Sequence, residues 1–150
     1  MVVDFQIKKA PRYRVASIAW TGPWNERRIR AQFDRIRRWA SRSGLRTGKW
    51  VFREPGSREW EVSIEVSGNG RPEEPIRIRT IPAATVASVV FDPTVVSPAV
   101  VYHGVADWVR WRKRDKTIRS CGSYREVYDG DPWRDPKAWS RTDVQIVVRM

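Results

Sequence analysis

In 150 residues the chain has one cysteine and one histidine. A lone thiol, Cys121, excludes an internal disulfide and a cysteine-based zinc cage. With no base in its local sequence, Cys121 reads as an idle thiol. His103 has no partner at ligand or triad spacing, so neither a metal site nor a His-centred triad is expected. No cofactor is expected either. Phosphate-cradling glycine loops and the G-x-S-x-G nucleophile turn are absent, and Gly68-Asn69-Gly70 reads as a plain turn. No apolar run approaches the roughly 20 residues of a membrane helix. Met1-Val2-Val3-Asp4-Phe5 has neither a basic leader nor a cleavage-type apolar segment, so a cytoplasmic location is expected. Acid is also scarce: 17 Asp and Glu face 29 Lys and Arg, giving a formal net charge of +12.

Aromatic residues are not scarce, and nine are tryptophan. The composition is that of a folded globular chain, most simply one domain over 1–150. Alternation in Val2–Lys8 predicts a strand, and Tyr13–Trp20 predicts a second. Ile29, Phe33, Ile36 and Ala40 form one apolar stripe of a helix over 25–43, with Gly44 at its C-terminal stop. A short strand follows at Trp50–Arg53. Trp60, Val62, Ile64 and Val66 alternate with Glu61, Ser63, Glu65 and Ser67, which predicts a strand with one buried and one wet face. Further strands are expected at Ile76–Ile81, Thr85–Phe91, Tyr124–Tyr128 and Thr142–Arg149. Ser97-Pro98 opens a second helix with Val101, Val105 and Trp108 on its inner face. A polar loop is expected over 129–141.

The chain repeats itself. Pro11-x-x-x-Val15-Ala16-Ser17-Ile18 aligns with Pro82-x-x-x-Val86-Ala87-Ser88-Val89, Trp20 with Phe91, and Trp39 with Trp111. Each copy is preceded by a strand and followed by a helix. The expected fold is α+β: two pseudo-symmetric strand-helix-strand-strand modules, 1–70 and 71–150. Their antiparallel sheet would carry two helices on one side, with a cleft between the modules.

The most telling segment is Tyr124-Arg125-Glu126-Val127-Tyr128. As a strand it sets Tyr124, Glu126 and Tyr128 on one face, a single carboxylate between two phenols. Two readings stand open: a solvated Glu on a wet face, or an acid framed by rings that anchors a flat or cationic guest. Trp20 and Trp39 read as core. Tyr13, Trp60, Trp108, Trp111, Tyr124, Tyr128, Trp133 and Trp139 are candidate walls of a binding cleft, the last two tryptophans as a lid.

These residues in their order resemble the GyrI-like small-molecule-binding family, the effector-binding domain of bacterial multidrug-responsive transcription activators. The resemblance rests on Lys8-Lys9-Ala10-Pro11, Val15–Ile18, Gly22-Pro23 before a helix carrying Trp39, and Gly44-Leu45. It continues through Ile81-Pro82-Ala83, Val86–Phe91, Trp111, Arg125–Tyr128 with Asp131-Pro132, and the tail Arg141–Ile146. It implies a ligand cleft between the two modules, with Glu126 at its floor. Capture of hydrophobic aromatic or cationic compounds is the function it implies. The same family includes hydrolases that open cyclopropane-bearing DNA alkylators, in which case Glu126 would guide water.

Two departures stand out. No helix-turn-helix segment is apparent, so a transcription factor in one polypeptide is not expected. Lys116 stands where a glycine would end the second helix. The high charge leaves a third reading, docking of DNA or an acidic protein on the Arg-rich helix, with a solvated face as its bland alternative. The charge also makes neutral or anionic guests more credible.

Overall fold

The computed structural model describes residues 4–150. Eight antiparallel strands and three helices follow in the order β1 (Gln6–Ala10), β2 (Tyr13–Thr21), α1 (Glu26–Arg42), β3 (Arg46–Arg53), β4 (Glu59–Ser67), β5 (Arg77–Ile81), β6 (Ala84–Phe91), α2 (Pro98–Arg114), β7 (Ser120–Tyr128), α3 (Pro136–Trp139) and β8 (Thr142–Arg149). The fold is the expected α+β. β1 begins at Gln6, and Val2 and Val3 of the first predicted strand lie outside the described residues. β3 and β7 start four residues earlier than alternation indicated. Each contains a register shift, between Thr47 and Trp50 and between Cys121 and Tyr124, which breaks the period-2 pattern. No described helix is long and apolar enough to cross a membrane.

The strands lie side by side as β1-β6-β8-β7-β3-β4-β2-β5. The first strand of each half therefore pairs with the other half: β1 with β6, and β5 with β2. This order sets a hard geometric condition. β1 is first in the sheet and β2 seventh, about 29 Å apart if the sheet were flat. Yet only Pro11 and Arg12 join them, a reach of about 11 Å between Ala10 and Tyr13. Pro82 and Ala83 join β5 to β6 under the same condition. The sheet must roll until its ends face one another.

Rolling gives the sheet an outer and an inner face. On the outer face α1 covers β2, β3 and β4, burying Ile29, Phe33, Ile36, Trp39 and Ala40 against Ile18, Val62 and Ile64. α2 covers β6, burying Val101, Val105 and Val109 against Ala87, Val89, Val144 and Ile146. On the inner face Tyr13, Val15, Val51, Ile81 and Val127 cluster with no helix above them. This overturns the wet face expected for β4. Ser63 is 0% and Glu61 7% exposed, because the curled sheet closes over them. Glu61 is held there by Arg79 (2.5 Å) and Arg53 (3.1 Å). Arg125, 3% exposed, donates to the Gln145 side chain at 2.7 Å.

The two long helices end alike. After α1, Gly44 takes φ +69°, its N–H reaches the Ser41 carbonyl (3.2 Å), and the Leu45 N–H reaches that of Ala40 (2.9 Å). After α2, Lys116 takes φ +66°, its N–H reaches Lys113 (3.3 Å), and Thr117 reaches Arg112 (3.0 Å). Both are Schellman stops. The missing glycine therefore leaves the stop in place, with a lysine held in a left-handed conformation that costs an L-residue about 1 kcal/mol or more. Lys116→Gly is expected to raise stability by about 0.5–1 kcal/mol, net of the entropy glycine adds to the unfolded chain. Urea unfolding at unchanged m-value checks it.

Candidate functional site: a carboxylate at the seam between two aromatic hollows

Neither helix covers the middle of the outer face. α1 packs on β2, β3 and β4 and α2 on β6, so a seam runs between the two helices along β7, where it pairs with β3. Glu126 on β7 stands opposite Phe52 on β3, and Tyr128 opposite Trp50. The carboxylate thus lies where two packed cores fail to meet.

Two hollows adjoin it. The first, about 430 Å³, is lined by Trp24, Phe52, Glu54, Trp60, Tyr102, His103, Ala106 and Tyr124, with Arg125 and Glu126. The second, about 290 Å³, lies between Ile29 and Phe33 of α1, Pro98 at the start of α2, and the aromatics Tyr128, Trp133 and Trp139, with Glu26. Trp24, Phe52, Tyr102 and Glu126 border both.

Each Glu126 oxygen accepts a phenol hydrogen: Oε1 from Tyr102 on α2, Oε2 from Tyr128 on the same strand. Burial pushes both phenols well above their ordinary pKa, and the negative charge of Glu126 pushes the same way. The result is an anion held by neutral donors, with no described cation paired to it. Tyr102 also packs tilted on Tyr124, ring centroids 5.5 Å apart.

The walls are fixed by local chemistry. Phe52 and Trp60, on adjacent strands, stack at 6.0 Å and 13°. The Trp60 indole N–H donates to the Gly22 carbonyl (2.9 Å), tethering the loop before α1. That loop sets Trp24 edge-on to Trp60 (5.5 Å) and Phe52 (5.8 Å), yet 61% exposed. On the other side Asp131 caps the turn after β7 by accepting from the Trp133 N–H (2.9 Å). Arg134 then clamps that turn to α1, reaching Asp131 and Asp34 at 2.8 Å each. Trp133 is thereby set against Phe33 (5.6 Å) and Trp50 (6.5 Å). The expected loop also contains α3, capped by Asp135, which lays Trp139 parallel to Tyr128 (6.5 Å, 11°).

Of the residues singled out from sequence, Glu126, Tyr124, Tyr128, Trp60, Trp133 and Trp139 border the hollows. Three lie elsewhere. Tyr13 sits in the inner-face cluster, because odd-numbered residues of β2 point away from α1. Trp108 packs parallel to Phe5 at 5.8 Å on the far side of α2, and Trp111 lies exposed beside Arg112. Trp24, Phe52 and Tyr102 were not singled out, yet each left a signal. Phe52 alternates with Trp50. Trp24 precedes the N-cap Asn25, where an apolar residue packs back on the first turns of a helix. Tyr102 lies three residues before Val105, at the flank of the apolar stripe.

With this geometry in view, the comparisons place the chain. It belongs to the GyrI-like small molecule binding domain family, whose model matches residues 4–149. Its fold is similar to that of the EcmrR C-terminal domain, at 19% identity and TM-score 0.72 over 99% of each chain. It is also similar to SAV2435 bound to tetraphenylphosphonium, at 11% identity and TM-score 0.54 over 97% of this chain and 94% of that one. A protein described as a hydrolase from Listeria innocua matches at 11% identity and TM-score 0.59, over 97% and 91%. No curated protein matches in sequence.

All four tyrosines have raised pKa values, each chiefly through burial. A phenol whose folded pKa is raised stabilises fully below its unfolded value, near 10, and that stability is lost as pH climbs above it. Absorbance at 295 nm is therefore expected to show tyrosine ionisation delayed beyond pH 10 and concurrent with loss of the fold. Ionisation near pH 10 with ellipticity intact would contradict this.

Proposed function

We propose that the chain captures hydrophobic aromatic cations in the seam, with Glu126 as the charged anchor. The observation that carries this is a carboxylate between two aromatic hollows, hydrogen-bonded among the described residues only by neutral phenols. Its charge is left for a guest to balance. Tryptophan, tyrosine and phenylalanine faces supply stacking and cation–π attraction. Glu54 and Glu26 add carboxylates to the two hollows, so the cleft is acid-lined in a chain of net charge +12. That favours a cation over the neutral or anionic guests suggested by overall charge, which salt screens beyond about 8 Å. The similar fold of SAV2435, bound to the aromatic cation tetraphenylphosphonium, supports the same class.

A hydrolytic role for Glu126 is less well supported. A base acting on water needs a carboxylate oxygen free to accept a proton at the right place. Here each oxygen already accepts a phenol hydrogen, so an attacking water would have only the remaining acceptor site on each.

Titration with tetraphenylphosphonium, followed by tryptophan fluorescence, is expected to show saturable quenching. Glu126→Gln should weaken this cation about tenfold or more while leaving an uncharged aromatic of similar size within about threefold. Equal affinity of parent and variant for the cation would remove Glu126 as anchor. Catalytic opening of a cyclopropane-bearing alkylator, lost in the same variant, would favour the hydrolytic reading.

A further inference from the structure

The helix that walls the second hollow has another face. α1 buries its whole apolar stripe, and the opposite side carries arginine after arginine. At 100° per residue, Arg27, Arg28, Arg35, Arg38 and Arg42 fall within about 100° of one another, spread over about 22 Å of axis. All five are exposed. Arg27, Arg28, Arg35 and Arg38 have no acidic partner among the described residues. Arg42 meets only Glu73, at 2.5 Å, in a pair exposed on both sides. Arg28 lies over the Trp20 ring at 5.4 Å, which orders its guanidinium toward solvent.

The two acids of α1 do not neutralise this stripe. Glu26 faces the second hollow, and Asp34 is taken by Arg134 and Arg37. An unrelieved row of like charges costs self-repulsion and is relieved by a polyanion.

We propose that the outer face of α1 is a docking surface for the sugar–phosphate backbone of duplex DNA, without sequence preference. The composition of the face selects this occupant. A protein partner would be expected to find apolar or aromatic anchors at the centre of the patch, but α1 itself places only Ala31 between the arginines, and the Trp20 ring at the end of the row lies under Arg28. A membrane-surface helix needs an apolar face to insert, and that face of α1 is already buried in the core. What remains is guanidinium donors at intervals along a rod, suited to phosphates rather than to base edges. The surface is independent of the cation site, which uses the other side of the same helix.

Because a net charge of +12 would attract DNA to any part of the surface, the test must separate this face from bulk charge. Anisotropy of a labelled mixed-sequence duplex is compared for the parent and two charge-matched double variants. One is Arg35→Gln with Arg38→Gln on α1; the other is Lys113→Gln with Arg114→Gln at the end of α2. All four side chains are exposed, and far-ultraviolet ellipticity with the urea midpoint checks that each variant keeps its fold. The parent is expected to bind with a log–log salt slope of about −4. The α1 pair should weaken binding about tenfold and make the slope shallower by about two. The α2 pair should change affinity less than threefold. Equal losses from both pairs, no binding by the parent at 50 mM salt, or tighter α1-dependent binding to phosphatidylglycerol vesicles than to the duplex would each overturn the proposal.

Discussion

The shape of the molecule follows from two links of two residues each. Pro11-Arg12 and Pro82-Ala83 must bridge strands six places apart, and only a rolled sheet allows it. Rolling creates an interior that no helix needs to cover, which is why Ser63, Arg125 and Gln145 are buried on a face that alternation marks as polar. Arg125 finds its partner indoors in Gln145, Gln145 in Asp143, and Glu61 in Arg53 and Arg79, while the Ser63 hydroxyl has none among the described residues. It also leaves the outer face to two helices, each wide enough for one half. The uncovered strip between them is a by-product of that division.

In the strip, polarity and packing meet. A carboxylate beside so much aromatic surface would be costly without donors. Tyr102 and Tyr128 provide them without cancelling the charge, as an arginine would. The rings that make the carboxylate costly are the ones a flat guest would stack on. Tether and clamp hold those rings from opposite sides: Trp60 through Gly22, and Arg134 through Asp34. The hollows therefore owe their walls to hydrogen bonds made outside them.

Much of this was legible in the sequence. The apolar stripe of α1, the alternation in β4 and β8, and the 124–126–128 triplet follow from local periodicity, which a residue string displays directly. What escaped was set by sequence-distant pairing. Tyr13 looked like a cleft residue because its aromatic character is visible and its sheet face is not. Phe52 and Trp24 were passed over for the opposite reason: their importance comes from neighbours on β4 and β7. The burial of Glu61 and Ser63 depends on curvature, which is fixed by strand order and has no local signature. Lys116 shows the backbone winning over propensity, since the hydrogen bonds of the stop are kept although glycine is not.

The exchange of opening strands carries a consequence for how such a chain is assembled. β1 finishes the sheet of the second half and β5 that of the first, so neither half contains all the pieces of its own layer. A lone half would expose a vacant edge shaped to fit another copy of itself. Two identical halves meeting in this way would rebuild the same rolled sheet as a twofold dimer. Joining them in one polypeptide frees the two sides to diverge, so that only one needs to keep an acid at the meeting line.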